Sequence, residues 1–294
     1  MRVTINGTEL EVDVQGRADA PVLVAHHGGP GIGDRGDYTT AFGPFSDRFR
    51  VITFDARGSG ASTETEPYSH EQWAADIDAL REWAGVGKII MAGHSYGGIM
   101  ALEYVTRYPH RVSALILIDT AAADTFRENS RKRAAESDRV DLDMEMFDRM
   151  WSGQVRDNDE FAQGWRAIAP LYTATEEPGM IAQMINKRQS YHYQTHNYAF
   201  GVNLPSYDVR EKLRSIGCPV LVIVGRHDWI TPVEASEEIA ALVPGAELVI
   251  FENSGHSPLH EERELWETTV RNFLDRAVGS EPPPDGHKGP YDAE

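Results

Sequence analysis

Lys88-Ile89-Ile90-Met91-Ala92-Gly93-His94-Ser95-Tyr96-Gly97-Gly98 is an apolar run that breaks into glycines around one serine. The run is short enough to be a buried strand, and residues 96–105 continue it with helical spacing. A strand that turns so sharply into a helix brings neighbouring backbone against the residue at the turn. Small residues are therefore needed two positions before and two after it, and Gly93 and Gly97 stand there. The G-x-S-x-G spacing between a strand and a helix makes Ser95 a candidate nucleophile.

Strands and helices alternate outward from this elbow. Val3 and Ile5, then Leu10, Val12 and Val14, alternate about Asn6-Gly7, a dipeptide suited to a tight hairpin. Val22-Leu23-Val24-Ala25 reads as a short buried strand entering His26-His27-Gly28-Gly29-Pro30-Gly31, and Val51-Ile52-Thr53-Phe54 as another, entering Asp55-Ala56-Arg57-Gly58-Ser59-Gly60. Ser69, with Gln72 three positions later, has capping-box spacing for a helix with Trp73, Ile77, Leu80 and Trp83 on one face. After the elbow helix, Ala114 to Ile118 is a further buried strand. This βα alternation predicts a mainly parallel sheet covered on both faces.

From Ala121 to Tyr207 the strand signal stops. Charged helical stretches such as Arg131 to Asp148, and a face of Met180, Ile181, Met184 and Ile185, predict a helical cap inserted at 121–207 between core segments 1–120 and 208–278. Tyr191 to Phe200 is dense in aromatic and hydrogen-bonding groups. It suits either a packing seam or the wall of a substrate pocket, with Tyr193, His196 and Asn197 as binding candidates. Val220 to Val224 and Glu247 to Phe251 resume the sheet and bring the strands to eight. Leu265, Val270, Phe273 and Leu274 mark a closing helix, and 279–294, with Pro282-Pro283-Pro284, reads as a disordered tail.

The 294 residues carry a formal charge of -18, which argues against a nucleic-acid partner, since such binding requires a basic face. Hydrophobic residues at 41% and charged residues at 25% match a globular chain able to bury a large core. No apolar run approaches the ~20 residues of a bilayer-spanning helix, so no membrane partner is expected. Met1-Arg2-Val3 runs straight into strand alternation rather than a secretory leader, and the expected location is the cytoplasm. The single cysteine, Cys218, reads as a packed thiol.

A serine hydroxyl needs a base, and the base needs a third group to fix its tautomer and steady its charge. Asp228 follows the strand 220–224 and His256 follows the strand 247–251, so both are expected beside Ser95 at the carboxyl ends of strands. Asp228 could instead cap the turn before Pro232, and Asp119, after the strand 114–118, is a rival acid. Among the eleven histidines, His27 and His94 flank other motifs as hydrogen-bonding supports, and only His256 lies in a glycine-turn loop after the last strand. No compact His, Cys and carboxylate set has metal-ligand spacing, so neither metal nor other cofactor is expected.

With these residues in view, residues 1–278 resemble the α/β-hydrolase superfamily, and within it the proline iminopeptidase-like serine hydrolases. The likeness rests on His27-Gly28-Gly29-Pro30-Gly31, Asp55-Ala56-Arg57-Gly58-Ser59-Gly60-Ala61-Ser62, Gly93-His94-Ser95-Tyr96-Gly97-Gly98 and the chain order Ser95, Asp228, His256. It implies an α/β-hydrolase fold and an oxyanion hole made by the backbone N–H groups of Tyr96 and Gly29. His27 and Trp229 are further candidates to line a small-molecule site. Peptidases of this family hold the substrate's free amine with glutamates, one after the acid of the triad and one late in the cap. Trp229 and, by rough alignment, Asn197 stand at those positions, with Glu176 and Glu177 as conceivable replacements. The expected activity is hydrolysis of a small ester, lactone or amide, with an aminopeptidase as the alternative and a non-catalytic receptor on the same fold as the third. A haloalkane dehalogenase would need an aspartate in place of Ser95.

Overall fold

The computed structural model describes residues 1–175, 178–187 and 190–279. Expectations placed on Glu176, Glu177 and the tail beyond Gly279 fall outside them. Eight strands form one sheet: β1 (Arg2–Ile5), β2 (Thr8–Gln15), β3 (Val22–His26), β4 (Arg50–Phe54), β5 (Ile89–His94), β6 (Val112–Ile118), β7 (Val220–Gly225) and β8 (Glu247–Phe251). Their spatial order is β1-β2-β4-β3-β5-β6-β7-β8. The first two strands pair antiparallel, as do β2 and β4, and all later neighbours are parallel. Asn6 and Gly7 both take positive φ (46° and 73°), the backbone that a two-residue hairpin demands.

Every residue of β3, β4, β5 and β7 is buried, because helices cover both faces of the sheet. Leu23, Ala25, Ile90, Ile116 and Ile223 point to one face, against Tyr38 and Phe42 of α1 (Gly36–Phe42) and the C-terminal helix Arg263–Val278. Val24, Met91, Leu115 and Val222 point to the other. There they meet Trp73, Ile77 and Leu80 of α2 (His70–Trp83) and Ile99 and Leu102 of α3 (Tyr96–Arg107). In the C-terminal helix Trp266 is fully buried and donates Nε1–H to the Ala41 carbonyl at 3.2 Å, whereas Leu265, expected on its core face, is exposed. Ser69 caps α2 as its spacing predicts, but Gln72 does not reciprocate: its side chain reaches forward to Asp76.

Between β6 and β7 the described chain is helical: α4 (Phe126–Glu136), α5 (Met144–Trp151), α6 (Asn158–Ile168), α7 (Pro178–Lys187) and α8 (Tyr193–Tyr198). The expected helical stretch from Arg131 to Asp148 is broken at 137–143. Asp143 ends the break by accepting hydrogen bonds from the N–H groups of Glu145 and Met146, which starts α5 afresh. At its base this segment closes on itself through a bridge between Ala123 and Asp208, with the Val209 N–H donating to the Ala122 carbonyl.

Chain order fixes where a ligand can enter. The connection after β3 runs to β4 on one side, while β5 pairs with β3 on the other. The strand order thus reverses between β3 and β5, and the crevice outside the carboxyl ends of such strands is where open α/β sheets bind ligands. The glycine loop leaves β3 there, and Ser95 leaves β5.

Candidate active site

Ser95 adopts φ 57° and ψ -125°, a strained backbone for a residue with a side chain. Its glycine neighbours permit the turn. A Cβ on Gly93 would run into the Gly97 carbonyl, and one on Gly97 would run into the His26 carbonyl of β3. The N–H of Tyr96 opens α3, where backbone donors lack partners inside the helix and favour negative charge.

The other two predicted residues arrive from β7 and β8. His256 is fully buried, and its Nδ1 lies 2.8 Å from Asp228 Oδ2. Asp228 is also held by the N–H groups of Ile230 (2.8 Å) and Thr231 (3.2 Å) and by the Thr231 hydroxyl (2.9 Å). It therefore caps its turn and holds the histidine at once. These bonds favour a carboxylate with Nδ1–H donated to it, which leaves Nε2 as the basic nitrogen. Nε2 has no hydrogen-bond partner among the described residues, and the ring lines the same cavity as Ser95. The helical insertion holds both supports: the His256 N–H donates to the Tyr172 carbonyl, and Arg133 of α4 donates to the Asp228 carbonyl.

Asp119, the rival acid, is engaged with Gly225 and His94. Its Oδ1 accepts the Gly225 N–H at 2.9 Å, and its Oδ2 lies 3.5 Å from His94 Nε2. Burial, and next the charge of Asp228, push its carboxyl well above the usual range, which disfavours its charged form. Spacing along the chain suggested no metal set, yet the fold gathers ligand atoms of His94, Asp119 and His256 within 4.8 Å of one another. His94 Nε2 is already bonded to the His256 carbonyl, and His256 Nδ1 to Asp228 outside this group.

The cavity over Ser95 has a volume of about 110 Å³. On the sheet side it is walled by Gly28, Gly29, Tyr38 and Ile230, and on the helical side by Trp151, Phe161, Trp165, Phe200 and His196 among others. For comparison, an engineered apolar cavity of 150 Å³ accepts benzene. Of the five substrate-binding candidates, His196 lies on the wall. Its Nε2–H donates to the Met150 carbonyl at 2.9 Å, and burial lowers its pKa to about 4, so Nδ1 is an uncharged acceptor.

The other four are placed elsewhere. His27 accepts the Ala56 N–H on Nε2 and donates Nδ1–H to the Gly28 carbonyl, which ties the loops after β3 and β4 together. Trp229 stacks on Trp151 at 5.4 Å, behind the wall. Asn197 spends its amide on both the N–H and the C=O of Val155. The Tyr193 backbone is held by Asn158. Sequence reasoning missed the wall on α6, although Phe161, Trp165 and Ile168 recur at helical spacing and would have marked that face. Cys218 is a half-buried thiol whose pKa burial raises to about 11, in keeping with a packed role.

A profile of the alpha/beta hydrolase fold family matches residues 21–263. The proline iminopeptidase PfmaB of Pestalotiopsis fici is 34% identical over 93% of this chain and 99% of its own. The bifunctional esterase/perhydrolase DCH of Acinetobacter calcoaceticus is 28% identical over 92% of this chain and 98% of its own. A thermophilic esterase from Thermogutta terrifontis, solved with malate bound, superposes with a TM-score of 0.75 at 27% identity, covering 94% of this chain and 99% of that one. No described helix is long and apolar enough to cross a membrane.

Proposed function

The chain belongs to the alpha/beta hydrolase fold family, within it to the proline iminopeptidase-like serine hydrolases, and on that premise we propose that it cleaves a small uncharged ester, lactone or amide through an acyl-enzyme on Ser95. His256 Nε2 takes the hydroxyl proton as Ser95 Oγ attacks the carbonyl carbon. Asp228 keeps the imidazole in the Nδ1–H tautomer and balances its charge once Nε2 is protonated. The oxyanion of the tetrahedral intermediate accepts hydrogen bonds from the N–H groups of Tyr96 and Gly29. The Gly28 N–H is already donated to the Tyr38 hydroxyl at 3.1 Å, which favours Gly29 as the loop's donor. Collapse passes the Nε2 proton to the leaving oxygen or nitrogen, and water repeats the sequence to release the acid. Residues 121–207 serve as the cap, and the cavity's volume suits an acyl group of about one ring.

The contact between Asp228 and His256, opening onto the cavity that Ser95 lines, carries this assignment. A fluorophosphonate probe is expected to label wild type at Ser95 and to leave Ser95→Ala unlabelled, with turnover of p-nitrophenyl acetate lost by on the order of 10⁶-fold. Labelling that persists in Ser95→Ala moves the nucleophile elsewhere. A wild type that is neither labelled nor active favours a ligand receptor.

An aminopeptidase is the second reading, favoured by the name of the 34% identical relative. A protonated amine bound away from water needs a counter-charge. Trp229 and Asn197 supply none, and the carboxylate on the described cavity wall is Asp37, in the first turn of α1. The expected order of kcat/KM is p-nitrophenyl acetate, then N-acetylprolyl-p-nitroanilide, then prolyl-p-nitroanilide. A strong preference for the free amine restores the peptidase.

A further inference from the structure

His94, the residue before the proposed nucleophile, is buried and has both ring nitrogens engaged: Nδ1 lies 2.6 Å from the Tyr38 hydroxyl and Nε2 lies 2.9 Å from the His256 carbonyl. We infer that Tyr38 and His94 form a positioning pair that fixes the spacing between the glycine loop and His256. The inference rests on the mechanism proposed above.

A carbonyl only accepts, so His94 Nε2 must carry the proton and Nδ1 must be the acceptor. Tyr38 then donates its O–H to Nδ1, and its oxygen is left to accept the Gly28 N–H. The polarity of the chain is therefore set: Gly28 N–H to Tyr38, Tyr38 O–H to His94, and His94 N–H to the His256 backbone. Three loops are joined, one carrying the oxyanion donor, one the nucleophile and one the base. Burial, and next the neighbouring His256, lower the pKa of His94 well below the usual value and keep this pattern in force.

The spacing is tight where the loops meet. A Cβ on Gly28 would lie 2.8 Å from Ser95 Cβ and 3.0 Å from the His94 carbonyl, so the glycine loop rests directly on the elbow. The oxyanion donors act only if they sit where charge will develop, and a misplacement of ~1 Å costs ~10²-fold in rate. β3 and β5 pair as far as His26 and Gly93, and beyond them these two side chains join the elbow to the glycine loop. Tyr38 and His94 also line the cavity, but their polar atoms point into the link.

The test uses p-nitrophenyl acetate turnover and inhibition by benzeneboronic acid, which forms a tetrahedral adduct on an active serine. Tyr38→Phe keeps the ring and removes the link. His94→Asn keeps an amide near the Nδ1 position and loses the reach to His256. Each is expected to lower kcat by ~10- to ~10²-fold and to weaken boronate binding in step, with KM within about threefold of wild type. The double variant should be no worse than the poorer single variant by more than about threefold, because one link can be broken only once. Melting curves establish that each variant is folded, and if His94→Asn is not, the split between kcat and KM in Tyr38→Phe decides. A wild-type kcat in Tyr38→Phe, a change confined to KM, or losses that multiply in the double variant overturn the pair. An unlabelled wild type overturns the nucleophile and the pair together, whereas a labelled wild type with any of those results overturns the pair alone.

Discussion

Asp119 and Asp228 stand at the carboxyl ends of neighbouring strands, and by chain position either could orient His256. Their hydrogen bonds separate them. Asp228 accepts two N–H groups, a hydroxyl and the imidazole, which together favour a carboxylate, while Asp119 has one backbone donor and a carboxyl whose charged form burial disfavours. Asp228→Asn is therefore expected to fold normally and to lose about 10⁴ in kcat, since an amide N–H facing Nδ1 selects the wrong tautomer. Asp119→Asn keeps an acceptor for the Gly225 N–H and leaves the Asp228–His256 contact in place, so its kcat should stay within about tenfold of wild type. Steady-state kinetics on the two variants check this, and a larger loss in Asp119→Asn would reassign the acid. Ser95 was legible because its constraint is local: the glycines that frame it are needed by backbone only a few residues away. The raised pKa of Asp119 was not, because it depends on burial and on a charge brought from another strand.

The same division holds among the elements. The hairpin at Asn6-Gly7, the buried strands and α2 each carry their own signal in a few consecutive residues. The cap does not, because which faces of α5 to α8 line a cavity depends on how they pack on one another. Asn197 illustrates the cost of ignoring this. Its position in the chain suggested a ligand to substrate, yet its amide closes on the N–H and C=O of Val155 and joins α8 to the turn before α6. Asn197→Ala leaves two polar groups of a half-buried backbone without their partner and should cost about 1–3 kcal/mol of stability in urea unfolding. The ratio of kcat/KM between prolyl-p-nitroanilide and its N-acetylated form should not move. A changed ratio with unchanged stability would return Asn197 to the binding site.

Across the whole molecule, buried histidines set how stability responds to pH. Burial depresses the pKa of His26 to about 3 and of His196 to about 4, and His94 is also lowered. In the unfolded chain each titrates near ~6.5, so below that pH the unfolded state binds more protons than the native one. The stability tied to the neutral native rings is thus present above ~6.5 and lost as pH falls, by about 2 kcal/mol at pH 5 for each of His26 and His196. Asp119 has the opposite sign: a carboxyl raised in the native state adds stability as pH falls. Asp124 and Glu261, raised but only half-buried, add less in that direction. Carboxylates lowered by ion pairs, Glu160 among them, do not enter until pH approaches their unfolded value of ~4. Between pH 7.5 and 5.0 the free energy of unfolding should therefore fall by a few kcal/mol, a large part of the ~5–15 kcal/mol typical of a native protein. Unfolding at pH 5 should take up about one proton each at His26 and His196, with His94 adding to the uptake and Asp119 opposing it. Urea titrations at the two pH values, with proton uptake from calorimetry in buffers of different ionisation enthalpy, measure both quantities. Unfolding at pH 5 that takes up no protons would mean that the His26 and His196 imidazoles are protonated in the native state.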